Sequence, residues 1–170
     1  MVQHKNSKNE IIPDDWWKSG YFFGERYYYP DNSKEGYLLN QRETLEERTY
    51  RESHGVLNLL ELERGSRILD APCGYGRHSI ALTNLGYDVT GIDIDQDHLI
   101  KAYKDSDVKK IHPRFCKRDL RDIGKEYCGQ FDAVINMFYS FGFFQLEEEN
   151  VKVMREFYNC LKSDGKLLLH

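Results

Sequence analysis

The segment ILDAPCGYGRHS, residues 68–79, constrains this chain more than any other. An apolar run ends in Asp70, a turn carries Gly74 and Gly76, and residues 77–85 show a helical pattern stopped by Gly86. Glycines at such a turn let the backbone approach a ligand without a Cβ, and the helix start leaves amides free. A second strand, residues 88–92, leads into Asp93, 23 positions after Asp70. An acid about 20 residues beyond such a loop is placed to accept hydrogen bonds from ribose hydroxyls. A lone GxG says little. A GxG behind an acid-ended strand, with a second strand-end acid at that distance, points to a nucleotide-type ligand.

The rest of the chain keeps the alternation of strands and helices. Asp95 caps a helix running to about residue 103. Residues 114–117 make a weak third strand, 131–136 a fourth, and 166–169 begin a fifth. Residues 146–161 form an amphipathic helix with Val153, Met154, Phe157 and Leu161 inward, ended by Gly165, and the run Glu147, Glu148, Glu149 reads as its solvated start. Ahead of the first strand, Thr44 and Glu47 form a capping box. The helix behind it should bury Leu45, Val56, Leu57 and Leu60 and end near Gly65. The expected fold is α/β, a doubly wound, mostly parallel, Rossmann-like sheet that stops after its fifth strand. Its 170 residues suit one structural domain. Residues 1–64 read as an N-terminal lid and capping helix, and 65–170 as the binding core.

Composition narrows the ligand. The 23 aromatic residues cluster, with eight in residues 16–29 and five in residues 138–144. Such clusters pack cores and line ligand pockets. The segment 16–37, broken by Gly20, Gly24, Pro30 and Gly36, reads as a mobile lid. A net charge of −4 argues against a dedicated nucleic-acid binder. The apolar run 133–144 is far short of the ~20 residues that span a bilayer. The N-terminus MVQHKNSKNE has no apolar core and reads as no secretory signal. Cys73, Cys116, Cys128 and Cys160 show no CxxC or His-paired spacing, so neither a disulfide framework nor a metal site is expected, and the cytoplasm is the expected compartment.

A dinucleotide oxidoreductase would want GxGxxG with a pyrophosphate over the helix start. Here the third position is Ser79, and Asp70 beside the loop would repel a pyrophosphate. It would suit a ligand bearing an ammonium group. The sequence resembles the class I S-adenosylmethionine-dependent methyltransferases, in particular a small bacterial branch with an LDxxCGxGRHS loop. Five motifs match in order: ILDAPCGYGRHS, VTGIDID, KRDLRD, FDAVINMFYSFGFF and LKSDGKLLL. The resemblance implies S-adenosylmethionine as cofactor, S-adenosylhomocysteine as product, and a small-molecule methyl acceptor. It places Asp70, Gly74 and Gly76 at the methionine end and Asp93 on the ribose diol. It places Asp119 on the adenine amino group, Ile94 and Leu120 around the ring, and Asn136 near the sulfonium. Asp122 is the rival for Asp119.

Aromatic faces beside a sulfonium add cation–π attraction, a role open to Trp17, Tyr21, Tyr29 and Tyr139. Tyr139 and His78 are the candidates for a general base; His78 reads equally as structural. Asn136 to Tyr139 keep the ends of the NPPY motif of amide and adenine-amine methyltransferases but lack both prolines, which argues against those acceptors. Cys73 follows Pro72 as in cytosine methyltransferases, but behind the first strand, and reads as a packing residue. Enzymes of this kind continue past strand five, so the chain reads either as a piece of an active methyltransferase or as a short cofactor-binding module. The strand-five edge is then expected to pair with a second copy or a complementing segment.

Overall fold

The computed structural model describes residues 43–138 and 141–170. Thr44 caps helix α1 (Leu45–Leu60): its Oγ1 accepts the Glu47 amide at 3.2 Å, and Glu47 Oε2 accepts the Thr44 amide at 2.6 Å. The helix ends at Glu61 in a left-handed conformation, four residues before Gly65. There follow β1 (Arg67–Asp70), α2 (Arg77–Asn84), β2 (Asp88–Asp93), α3 (Gln96–Lys109), β3 (Arg114–Lys117), a 3₁₀ turn (Lys125–Tyr127), β4 (Phe131–Asn136), α4 (Glu147–Cys160) and β5 (Leu161–Leu169). The five strands are all parallel, in the order β3-β2-β1-β4-β5. This is the doubly wound α/β sheet expected from the alternation.

Side chains alternate across the sheet and build a core on each face. On one face Ile68, Val89, Ala133 and Ile135 pack against Val56 and Leu60 of α1 and Leu82 of α2. On the other, Leu69, Ile92 and Val134 meet Val153, Phe157 and Cys160 of α4. Cys73, Ile80, Leu99, Ala102 and Phe115 close a third cluster, so Cys73 packs as expected. Residues Glu43–His170 form one compact unit, and α1 shares its core with the sheet.

Element ends differ from the sequence reading in physical ways. Helix α3 runs six residues past Tyr103 to a left-handed cap at Lys110. Helix α4 ends at Cys160, and Leu161 is already extended and pairs with Phe131. Strand β5 therefore starts at Leu161. The polar residues 162–165 bulge out opposite Asp132, and regular pairing resumes with Lys166 against Ala133. Asp132 anchors the bulge by accepting Lys162 Nζ at 2.7 Å and the Arg67 amide at 2.8 Å. On α1, Leu45 and Leu57 are only half-buried, whereas Arg48, Thr49 and Ser53 are buried. The four cysteines are free. Among the described residues no helix is long and apolar enough to cross a membrane, and no group of His, Cys, Asp and Glu is arranged to hold a metal ion.

Candidate functional site

Open parallel sheets bind ligands beyond the carboxyl ends of their strands, near the point where the strand order reverses. Here β1 lies between β2 and β4, and Asp70, Asp93 and Asn136 stand at those three carboxyl ends. The loop after β1 is tied to both neighbours. The Cys73 amide donates to Ile92 O at 2.8 Å and the Ala71 amide to Ile135 O at 2.9 Å. Gly76 begins α2 at φ +73°, and a Cβ there would come within 2.6 Å of the Phe115 ring and 2.9 Å of Ala102. Gly91 is equally confined: a Cβ would meet Ser79 Oγ at 2.8 Å.

That hydroxyl explains the third loop position. Ser79 is fully buried and its Oγ donates to Asp70 Oδ2 at 2.6 Å. Asp70 is 1% exposed, and its Oδ1 has no hydrogen-bond partner. Burial pushes this carboxyl up to about 7, against the opposing pull of Ser79 and the charge of Arg77. An unpaired buried acceptor of this kind is uncommon and marks a place where a donor fits. Asn136 repeats the pattern. It is fully buried, its Nδ2 donates to Ala71 O at 2.7 Å, and its Oδ1 is unpartnered.

Asp93 differs. Its Oδ2 accepts the Gly74 amide and its Oδ1 the Asp95 amide, each at 2.8 Å. A carboxylate offers about four acceptor sites, so two loop amides fix Asp93 and leave roughly two sites, the number a vicinal diol requires. His98 Nδ1 lies 3.6 Å from Asp93 Oδ1, and the Tyr75 ring sits 4.5 Å from the His98 ring. Ile94 is half-buried just beyond Asp93, and Leu120 is half-buried against the core under α4.

The Asp119 carboxylate is held by Arg121, whose Nη2 donates to Oδ2 at 2.6 Å and Nε to Oδ1 at 3.0 Å. Asp122 is exposed and contributes its amide to Asp119 O, so the ordered carboxylate of the pair is Asp119. Arg121 also bonds Glu149, which corrects the reading of the α4 start as merely solvated.

His78 is buried in the contact between α1 and α2, its Nε2 2.9 Å from Glu52 Oε2. The same oxygen accepts Arg77 Nη1 at 2.6 Å. Burial and the Arg77 charge lower His78 to about 4, so the ring is neutral at physiological pH and engaged in packing. Burial opposes ionisation of Glu52, yet the hydrogen bond from His78 and the charge of Arg77 hold it down at about 2. Arg48 and Arg77 both lie against the Phe138 ring, 4.9 and 5.1 Å from its centroid. The hydrophobic pattern of α1 concealed this seam, because it counts only apolar positions; the signal was the R-T-x-x-E-S spacing at Arg48, Thr49, Glu52 and Ser53. Tyr21, Trp17, Tyr29, the segment 16–37 and Tyr139 lie outside the described residues.

The family described as "Methyltransferase domain" matches residues 68–165, and the chain belongs to it. Among solved structures, the TehB-like SAM-dependent methyltransferase of Corynebacterium glutamicum shares 26% identity at TM-score 0.58, covering 69% of this chain and 60% of that one. The PH0226 protein of Pyrococcus horikoshii shares 26% at TM-score 0.65, covering 84% and 60%. A glycine/sarcosine N-methyltransferase of Aphanothece halophytica is 33% identical over 144 residues, 84% of this chain and 54% of that protein. The chain spans about half the length of the curated relatives it matches. The fold and family make S-adenosylmethionine the cofactor.

Proposed function

We propose that the protein transfers a methyl group from S-adenosylmethionine to a small-molecule amine. The observation that carries this is the pair of buried, unpartnered acceptors, Asp70 Oδ1 and Asn136 Oδ1, at the carboxyl ends of adjacent strands. They fit a ligand with a cationic, donor-bearing end, and Asp93 keeps acceptor capacity for a diol. The family match supports the reaction class. The relatives named glycine/sarcosine N-methyltransferases, from Aphanothece halophytica and Halorhodospira halochloris, make small amino acids the first acceptors to try.

The cofactor supplies a methyl carbon activated by a sulfonium. The chain's own residues bind and orient. Asp93 takes the ribose hydroxyls, Asp119 the adenine amino group, Ile94 and Leu120 flank the ring, and Asp70 with the Gly74 and Gly76 backbone takes the methionine end. Asn136 would lie near the sulfonium. Positioning and exclusion of water then lower the barrier without a covalent step on the protein. A cytoplasmic setting and self-association along the β5 edge belong to the same proposal.

The test is calorimetry with S-adenosylhomocysteine followed by a turnover assay with glycine and sarcosine. Binding with product release establishes the reading. Binding without turnover of any amine leaves a cofactor-binding module, and binding of a dinucleotide in place of S-adenosylhomocysteine overturns it.

A further inference from the structure

Ser79 lies in the first turn of α2, fully buried, and its hydroxyl is committed to one oxygen: Oγ donates to Asp70 Oδ2 at 2.6 Å. The room for this bond is made on the neighbouring strand. Gly91 stands opposite Asp70 in the pairing of β1 with β2, and a Cβ there would come within 2.8 Å of both Ser79 Oγ and the Phe115 ring. A side chain at position 91 would push the hydroxyl aside. The bond to Oδ2 resists rotation of the carboxyl and leaves Oδ1 as the oxygen without a donor.

The groups around this carboxyl act on its proton in opposite directions. Burial is the strongest and pushes it up to about 7; the Ser79 hydroxyl, the Arg77 charge and the Ser79 amide pull it down, and the Asp93 charge on β2 raises it. Arg77 also serves Glu52 of α1. Cys73, in the loop, is held well above its usual range by burial and by the Asp70 and Asp93 charges, so it stays a neutral thiol. Asn136 on β4 is neutral and brings a second unpartnered acceptor, Oδ1. Below about pH 7 the free protein therefore largely carries a proton on Asp70, and a cationic donor can use the carboxylate only once that proton leaves.

We propose that Ser79 is a positioning residue for the methionine end of the cofactor: its hydroxyl fixes Asp70 with Oδ1 as the receiving oxygen and favours the carboxylate over the acid, so that cofactor binding expels a proton from Asp70. This rests on the reading of Asp70 as the acid that meets the methionine ammonium. In this step the Asp70 O–H bond breaks, the proton passes to the buffer, and the carboxylate accepts an N–H of the incoming ammonium. Affinity then rises with pH, by up to about tenfold per unit below about pH 7, and levels off above it. Ser79 sets where that bend falls.

Calorimetry of S-adenosylhomocysteine binding, repeated in buffers of different ionisation enthalpy, counts the protons released. The wild-type chain should release close to one at pH 6 and almost none at pH 8.5. 5′-Methylthioadenosine, which lacks the amino-acid end, should release none at either pH. Ser79→Ala, and Ser79→Cys with its weaker donor, should move the bend to higher pH. Each should weaken S-adenosylhomocysteine roughly tenfold at pH 7, the usual effect of a hydrogen bond to a charged group, with the deficit shrinking as pH rises and 5′-methylthioadenosine unaffected. Either variant carries the test if the other fails to fold. A deficit equal at every pH, or shared by 5′-methylthioadenosine, makes Ser79 structural only and the inference fails. It fails as well if Asp70→Asn still releases the wild-type proton. Equal wild-type affinities for the two ligands at pH 8.5 overturn the ammonium reading of Asp70 itself, and the inference with it.

Discussion

Glu52 and Asp70 both feel the Arg77 guanidinium, and both are removed from water, yet one is pulled down to about 2 and the other pushed up to about 7. The difference lies in the partners. Glu52 takes hydrogen bonds from Arg77 and His78 and has Arg48 3.7 Å away. Asp70 has one serine hydroxyl and an empty oxygen. The cationic side chains of this seam converge on the acid that joins α1 to α2. The acid at the end of β1 is left short of donors, and a ligand can complete it. A finished ion cluster contributes to the fold; an unfinished one contributes to binding.

Removing Glu52 should break that contrast with the largest effect. Glu52→Ala leaves Arg77 and Arg48 without their carboxylate, and breaking such a buried pair costs about 3–5 kcal/mol. Denaturant unfolding at pH 7 reads this directly. The acid side carries the same signature. With Glu52 lowered from 4.5 to about 2, its stabilisation is present above pH 4.5 and is lost as pH falls toward 2. His78, lowered from 6.5 to about 4, adds an earlier loss as pH falls from 6.5 to about 4, because the fold disfavours its cation.

Asp70 has the opposite sign. Raised from 3.8 to about 7, it binds its proton more tightly folded than unfolded, so it costs stability increasingly as pH rises from about 4 to about 7. Asp70→Asn should flatten that slope, the gap between variant and wild type changing by on the order of 4 kcal/mol across the window. Melting curves at pH 5 and pH 8 without ligand test it; parallel curves would refute the assignment. The same variant should bind S-adenosylhomocysteine more weakly at pH 8, separating fold from binding at a single residue.

Asp93 sharpens the comparison as an acid half completed. Its loop amides satisfy part of its capacity, so the fold should tolerate Asp93→Ala better than Glu52→Ala. Its cofactor affinity should fall by about 1.5–3 kcal/mol, the worth of a charged acceptor. Calorimetry showing unchanged affinity would remove Asp93 from the site.

The smallest effect concerns the sheet edge. Among the described residues β5 has a strand on one side only, with Leu169 exposed, and Val151 and Tyr158 are exposed on α4. Self-association should be weak and concentration-dependent by light scattering, and a charge at Leu169 should reduce it. A monomer at all concentrations would show that the edge is protected.

Those residues divide by how far their signals reach along the chain. Asp70, Gly74, Gly76 and Asp93 were legible because strand, turn and helix are local patterns and the acid spacing is short. Arg121 was nearly legible, sitting two residues from Asp119 within RDLRD. Glu52 was not, since its partners lie 25 and 26 positions away and its helix shows only an apolar stripe to a periodicity count. The bulge of β5 was hidden for the reverse reason: KSDG has turn composition, and only pairing with β4 makes Leu161 a strand residue.

The bonds that hold the loop after β1 have a consequence for how the protein comes into being. Ala71 is fastened to Ile135 and Asn136, and Asn136 stands 65 positions further along the chain. Parallel neighbours so distant in sequence must close a long loop before any contact rewards it, which makes such topologies slow to fold. During synthesis the glycine turn and both flanking acids emerge well before the strand that shapes them. The cradle is therefore a late product of folding, and an emerging chain ending before Asn136 would carry the whole ILDAPCGYGRHS signature yet lack the anchored form of the site.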